Sequence, residues 1–171
     1  LGVLETLILL TSTLAVATAI EALVTFTLNQ PGNEHVTSVN ALVGETNDGA
    51  LNDIRGRHVR ALDALESIAS ASADCDAEGC IGAGTGTVCF GFKGGIGNAS
   101  RVLPAGLGGY TVGVLVQSNF GGVLRIDGVP IGELLGQLPF GEHLRGGISC
   151  EDVDGSCMMI GATEIGRASC R

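Results

Sequence analysis

The sequence predicts a mixed α/β (α+β) domain, and three observations carry that reading. Apolar segments occur in the order strand, helix, strand, helix, then several strands. Hydrophobic residues make up 45% of the 171-residue chain and charged residues 16%, so a packed core is affordable and disorder is not expected. The 28 glycines follow no three-residue period, which excludes collagen and suits tight turns and close backbone approach.

Residues 7–16 read as a buried strand and 17–28, "ATAIEALVTFTL", as a helix stopped by Asn29 and by Pro31-Gly32. "VNALVGE" (39–45) reads as a second strand. "TNDGALNDIRGRH" (46–58) is a polar loop with two Asn-Asp pairs. Residues 59–70 set Val59, Leu62, Leu65 and Ala69 on one helical face. "SADCDAEG" then reads as an exposed acidic loop. The middle is rich in Gly and alternating at 85–103, and β-branched at 110–121. Asp127-Gly128 stands between short apolar runs, a hairpin signal. A last strand begins at "SCMMIGAT". The helices are expected to cover a largely antiparallel sheet.

Several functions are disfavoured. A net charge of −9 with scattered basic residues argues against a nucleic-acid surface. The uncharged run 7–20 is shorter than the roughly 20 residues a membrane span needs, and no basic segment precedes it as in a signal peptide. Six cysteines, at 75, 80, 89, 150, 157 and 170, read as free thiols of a reducing compartment rather than a disulfide framework. "CDAEGC" (75–80) lacks a second ligand pair, so no metal or other cofactor is expected. "GCIGAGTG" (79–86) fits neither phosphate-loop pattern and reads as a strand entry or a substrate-facing turn. His35, His58 and His143 form no ligand or triad pattern, and "NAS" (98–100) reads as an ordinary turn.

Two residues invite chemistry. Asn119 closes an apolar strand, where its amide is either a turn residue or an oxyanion donor; spacing alone favours the turn. Ser156 follows Gly155 at the mouth of the last strand. The pair is either a common turn or the cut site of a self-processing chain. Cleavage there would free an α-amino group of pKa about 8 beside the serine hydroxyl.

A resemblance separates these alternatives. "LETLILLTSTLAV", "GETNDGALNDIRGRHV", "GAGTGTVCFGFKGGIGNASRVL", "YTVGVLVQSNFG" and "DGSCMMIGAT" occur in one order and together resemble the L-aminopeptidase/D-esterase (DmpA-like) family, which includes the β-peptidyl aminopeptidases. The resemblance covers residues 1–163. It implies a four-layer α/β/β/α sandwich like that of the N-terminal-nucleophile hydrolases. It implies self-cleavage between Gly155 and Ser156, with Ser156 as nucleophile and Asn119 as oxyanion donor. It further implies release of N-terminal residues from peptides, amides or esters through an acyl-enzyme, and assembly of αβ units into a homo-oligomer. Ser12 stands where relatives carry Asn, so no role carries over to it.

The resemblance divides residues 1–163, a single domain, into an α-chain part (1–155) and the start of a β chain (156–163). The remaining catalytic serine and glutamate are expected beyond Thr163, so the chain by itself is expected to be inactive. "EIGRASCR" (164–171) resembles the translation of a sequencing adapter and is set aside from fold reasoning, and the natural N-terminus is expected to lie upstream of Leu1. A cytoplasmic location is expected ahead of a periplasmic one. Two other functions remain open: an ornithine acetyltransferase-like acyl transfer, which would use threonine as nucleophile, and a non-catalytic binding protein on the same fold.

Overall fold

The computed structural model describes residues 3–72, 77–137 and 155–163. Strand β1 (Ile8–Ser12) leads through a 3-10 turn (Thr13–Ala15) into helix α1 (Val16–Leu28), and strand β2 (Leu42–Thr46) returns parallel to β1. The strand predicted over 7–16 thus stops four residues early. Thr13 turns its hydroxyl onto the Glu45 carboxylate and Ala15 packs inward, so tertiary contacts break an apolar run that has no local stop signal. α1 buries Ala19, Ala22 and Leu23, spaced three and four apart, and these small residues let its axis approach β1 and β2 closely. The side-chain amides of Asn29 and Asn33 donate to the carbonyls of Thr25 and Thr27 and close its C-terminus.

Helix α2 (Ala61–Ala69) packs on α1. Its inward face is Ala61, Ala64, Leu65 and Ile68, while Leu62 and Ala69 are exposed. The predicted face was therefore rotated by part of a turn. Two candidate stripes overlap at Leu65, and packing against α1 selects the one with alanine at its centre.

The middle of the chain builds the second sheet. A two-residue ribbon, β3 (Val88–Cys89) with β4 (Phe92–Lys93), precedes strands β5 (Gly95–Val102), β6 (Thr111–Ser118) and β7 (Met158–Thr163). The last three form an antiparallel sheet in the order β5-β6-β7. Asn98–Ser100 lies inside β5, paired to Leu115, Val114 and Gly113, and is not the turn the sequence suggested; pairing with β6 overrides weak local propensity. Asp127-Gly128 does turn the chain, with φ of 48° and 78°, but the hairpin is one bridge, Ile126 to Val129, before the short helix α3 (Ile131–Leu134).

The helices lie on the parallel pair, not on the antiparallel sheet as the sequence suggested. The antiparallel sheet stacks on β2 instead. Gly44 makes that possible: a β-carbon there would stand 2.7 Å from Leu10 Cδ2 and 2.8 Å from Met158 Cε. The described elements therefore form helix, sheet and sheet layers, the mixed α/β arrangement expected. No helix among the described residues is long and apolar enough to cross a membrane. The expected tail at 164–171, His143, Cys75 and most of the acidic segment before Gly155 lie outside the described residues.

Candidate active site

The site forms where the ends of β2 and β6 meet the entry to β7. β6 and β7 pair with Gln117 opposite Met158. Carrying that antiparallel register two residues further sets Asn119 opposite Ser156, and one more sets Phe120 opposite Gly155. The contacts agree. A β-carbon on Gly155 would lie 2.5 Å from Phe120 Cα, 2.7 Å from the Asn119 carbonyl oxygen and 2.9 Å from the Gly121 nitrogen. All three are backbone atoms, so only glycine fits at 155.

Asn119 is 6% exposed and its amide is held at both ends. The Val88 N–H donates to Oδ1 at 3.1 Å, and Nδ2 donates to the Asn47 carbonyl at 3.0 Å. This fixes which end of the amide is which and leaves the second Nδ2 hydrogen free of those two bonds. Asn119 is thus no loose turn residue. The Ser156 hydroxyl donates to the Glu45 carbonyl at 3.4 Å, a long bond that leaves the oxygen lone pairs unengaged by it.

Three consecutive residues of β2 and its end hold this assembly. Glu45 accepts from Ser156 through its carbonyl, Thr46 accepts from the Gln117 side chain through its hydroxyl, and Asn47 accepts from Asn119. Sequence inspection missed Gln117, Thr46 and Glu45. Gln117 did leave a signal, as the polar residue within an apolar β-branched strand. The glycine-rich segment is also tied to the site: Lys93 Nζ donates to the carbonyls of Gly84 and Gly94 at 2.8 and 2.7 Å, holding the Gly82–Gly84 turn on the sheet. Phe90 and Phe120 meet edge to face, ring centroids 6.1 Å apart, and the Phe90 N–H donates to the Phe120 carbonyl at 2.7 Å.

Other candidates fall elsewhere. His58 Nε2 lies 3.0 Å from Asp53 Oδ2 on an exposed loop. That hydrogen bond, with one from the Gly56 N–H, holds the Asp53 carboxyl below the usual aspartate range. Ser12 ends β1 and lines two cavities of about 240 and 280 Å³ that it shares with Asp48 and Asn52. Neither cavity is lined by Ser156 or Asn119. Cys80, Cys89 and Cys157 are free thiols.

The chain matches peptidase family S58 over residues 1–168. It is 54% identical over 96 residues to the beta-peptidyl aminopeptidase BapA of Sphingosinicella microcystinivorans, covering 55% of this chain and 24% of that protein. The enzyme of the same name from Sphingosinicella xenopeptidilytica is 46% identical over 101 residues, covering 57% and 25%. Among solved structures, a beta-aminopeptidase of a Burkholderia species superposes with a TM-score of 0.72 at 40% identity, covering 91% of this chain and 41% of that one. The L-aminopeptidase D-Ala-esterase/amidase of Ochrobactrum anthropi, a serine aminopeptidase with a variant of the Ntn-hydrolase fold, superposes with a TM-score of 0.70 at 34% identity, covering 90% and 41%. The chain thus spans about a quarter of the length of these curated relatives and about two fifths of these solved structures. With a close superposition on solved aminopeptidases and a family match along nearly its whole length, the chain belongs to peptidase family S58.

Proposed function

We propose that the intact protein is a self-processing serine aminopeptidase in which Ser156 is the nucleophile and Asn119 the side-chain oxyanion donor. The observation that carries this is the seat of Gly155-Ser156 across from the doubly anchored Asn119. In processing, Ser156 Oγ attacks the Gly155 carbonyl carbon. The C–N bond breaks, the hydroxyl proton ends on the departing nitrogen, and an ester joins Gly155 to Oγ. Water hydrolyses the ester and leaves Ser156 as a new N-terminus. In turnover the same Oγ attacks the carbonyl of a substrate's first residue, the rest of the substrate leaves as an amine or alcohol, and water releases the acyl group. The freed α-amino group, of reference pKa about 8, acts as the local base. The spare Asn119 N–H meets the oxyanion, a contribution worth about 10²–10³ in rate.

Peptides, amides and esters are the substrates of this reading, and the relatives' names favour residues of the β-amino type. A cytoplasmic location, ahead of a periplasmic one, belongs to the same reading. Assembly of αβ units into a homo-oligomer, without a nucleic-acid or membrane partner, belongs to the same reading. Residues 1–155 are the α-chain part and 156–163 begin the β chain. The test is expression of the full-length gene and a denaturing gel. Two bands are expected from the wild type, and one uncut, inactive band from Ser156→Ala. An active enzyme that stays a single chain would sink the proposal.

A further inference from the structure

Gln117 is fully buried, and its amide spends both hydrogens on other elements. Nε2 donates to the Thr46 hydroxyl on β2 and, at 3.2 Å, to the Ala83 carbonyl in the glycine turn. Its carbonyl oxygen, also buried, has no hydrogen-bond partner among the described residues. A buried amide gains little net stability over an apolar side chain of the same shape, since its hydrogen bonds must first offset its desolvation. What the amide supplies instead is register between two stacked sheets.

Its place makes that register matter. Thr46 stands between Glu45, whose carbonyl takes the Ser156 hydroxyl, and Asn47, whose carbonyl takes the Asn119 amide. Gln117 itself lies two residues before Asn119 on β6 and pairs with Met158, two residues after Ser156 on β7. The Gln117–Thr46 bond is therefore the cross-sheet link at the centre of the assembly, flanked by the bonds of the nucleophile and the oxyanion donor. We infer that Gln117, with Thr46, is a positioning pair that sets the distance between Ser156 Oγ and the Asn119 amide, and so governs both self-cleavage and turnover. The inference rests on the nucleophile reading above and adds to it a polar link that touches neither substrate nor reacting atom.

The experiment uses the full-length protein and compares Gln117→Met, Thr46→Val, Thr46→Ser, Gln117→Met/Thr46→Val and Ser156→Ala. The readouts are thermal melting, the rate of self-cleavage on gels, and kcat and KM for a β-amino acid p-nitroanilide. Gln117→Met and Thr46→Val each leave a buried partner unpaired and should melt somewhat below the wild type, while the double variant, which removes both partners, should recover part of that loss. Their kcat should fall about 10- to 100-fold, the scale of an ångström-level misplacement, with KM within about threefold. Self-cleavage should slow in parallel. The double variant should be no worse than the worse single one, and Thr46→Ser, which keeps the hydroxyl, should stay within about threefold of wild type. Wild-type kcat and self-cleavage in a folded Gln117→Met, additive losses in the double variant, or equal losses in Thr46→Ser and Thr46→Val would each overturn the pair. Should Gln117→Met not fold, the Thr46→Val and Thr46→Ser comparison decides alone. Turnover that survives in Ser156→Ala overturns the nucleophile reading and this inference with it. A dead Ser156→Ala beside a normal Gln117→Met overturns only the positioning pair.

Discussion

Gly155 lies too close to the backbone of Asn119, Phe120 and Gly121 for any β-carbon. Gly155→Ala must therefore push the Gly155 carbonyl, the proposed point of self-cleavage, off its seat or lift the chain away from β6. We expect self-cleavage of the full-length precursor to slow at least tenfold, read as persistence of the uncut band over a time course. Asn119→Asp is the complementary test of the proposed oxyanion donor. It keeps the shape, but one carboxylate oxygen now faces the Asn47 carbonyl, an acceptor against an acceptor. Steady-state kinetics should show kcat lower by about 10²-fold or more. The sequence made both residues visible, Asn119 only as one of two alternatives. It could not make Gln117, Thr46 and Glu45 visible as a group. They lie on strands separated by about 70 residues and meet only when the sheets stack.

At the scale of elements, α1 and α2 differ in what supports them. Leu23 of α1 is fully buried, whereas Leu62 of α2 is 55% exposed. Denaturant unfolding of the intact protein should show a loss of about 2–5 kcal/mol for Leu23→Ala and under about 0.5 kcal/mol for Leu62→Ala. α2 leans on its N-terminus. The Asp63 carboxylate accepts from the Arg60 N–H at 2.8 Å and from the Arg60 guanidinium at 2.7 and 3.1 Å. The guanidinium hydrogen bonds, then the backbone one, hold Asp63 below the usual aspartate range. A depressed folded value means that the contribution is present above the unfolded pKa of about 3.9 and is lost as pH falls through the lower folded one. Asp63→Asn should accordingly flatten the stability loss below about pH 4 and lower stability slightly at neutral pH, measured by denaturant melts across that window. The periodicity of residues 59–70 sufficed to place a helix there. It did not choose the buried face, because Leu62 and Leu65 head two overlapping stripes and only contact with α1 distinguishes them.

For the whole molecule, the outward face of the antiparallel sheet carries Val114 and Met159, the latter 70% exposed, with Val102 also exposed at the end of β5. The 171-residue chain expressed by itself should bind a hydrophobic dye strongly, and the full-length protein only weakly; equal binding would show that this face stays bare. The amino-acid sequence alone determined the class of fold, the approximate elements, the glycine-serine junction and a family resemblance, because apolar periodicity, turn residues and contiguous motifs are local properties of a chain. The tertiary structure decided the rest. It set which sheet the helices cover, which way the Asn119 amide points, why residue 155 must lack a side chain, and that the end of β2 and the residue after it hold serine, glutamine and asparagine in succession. Those are distances between segments far apart in the chain, and they take values only once two sheets pack face to face.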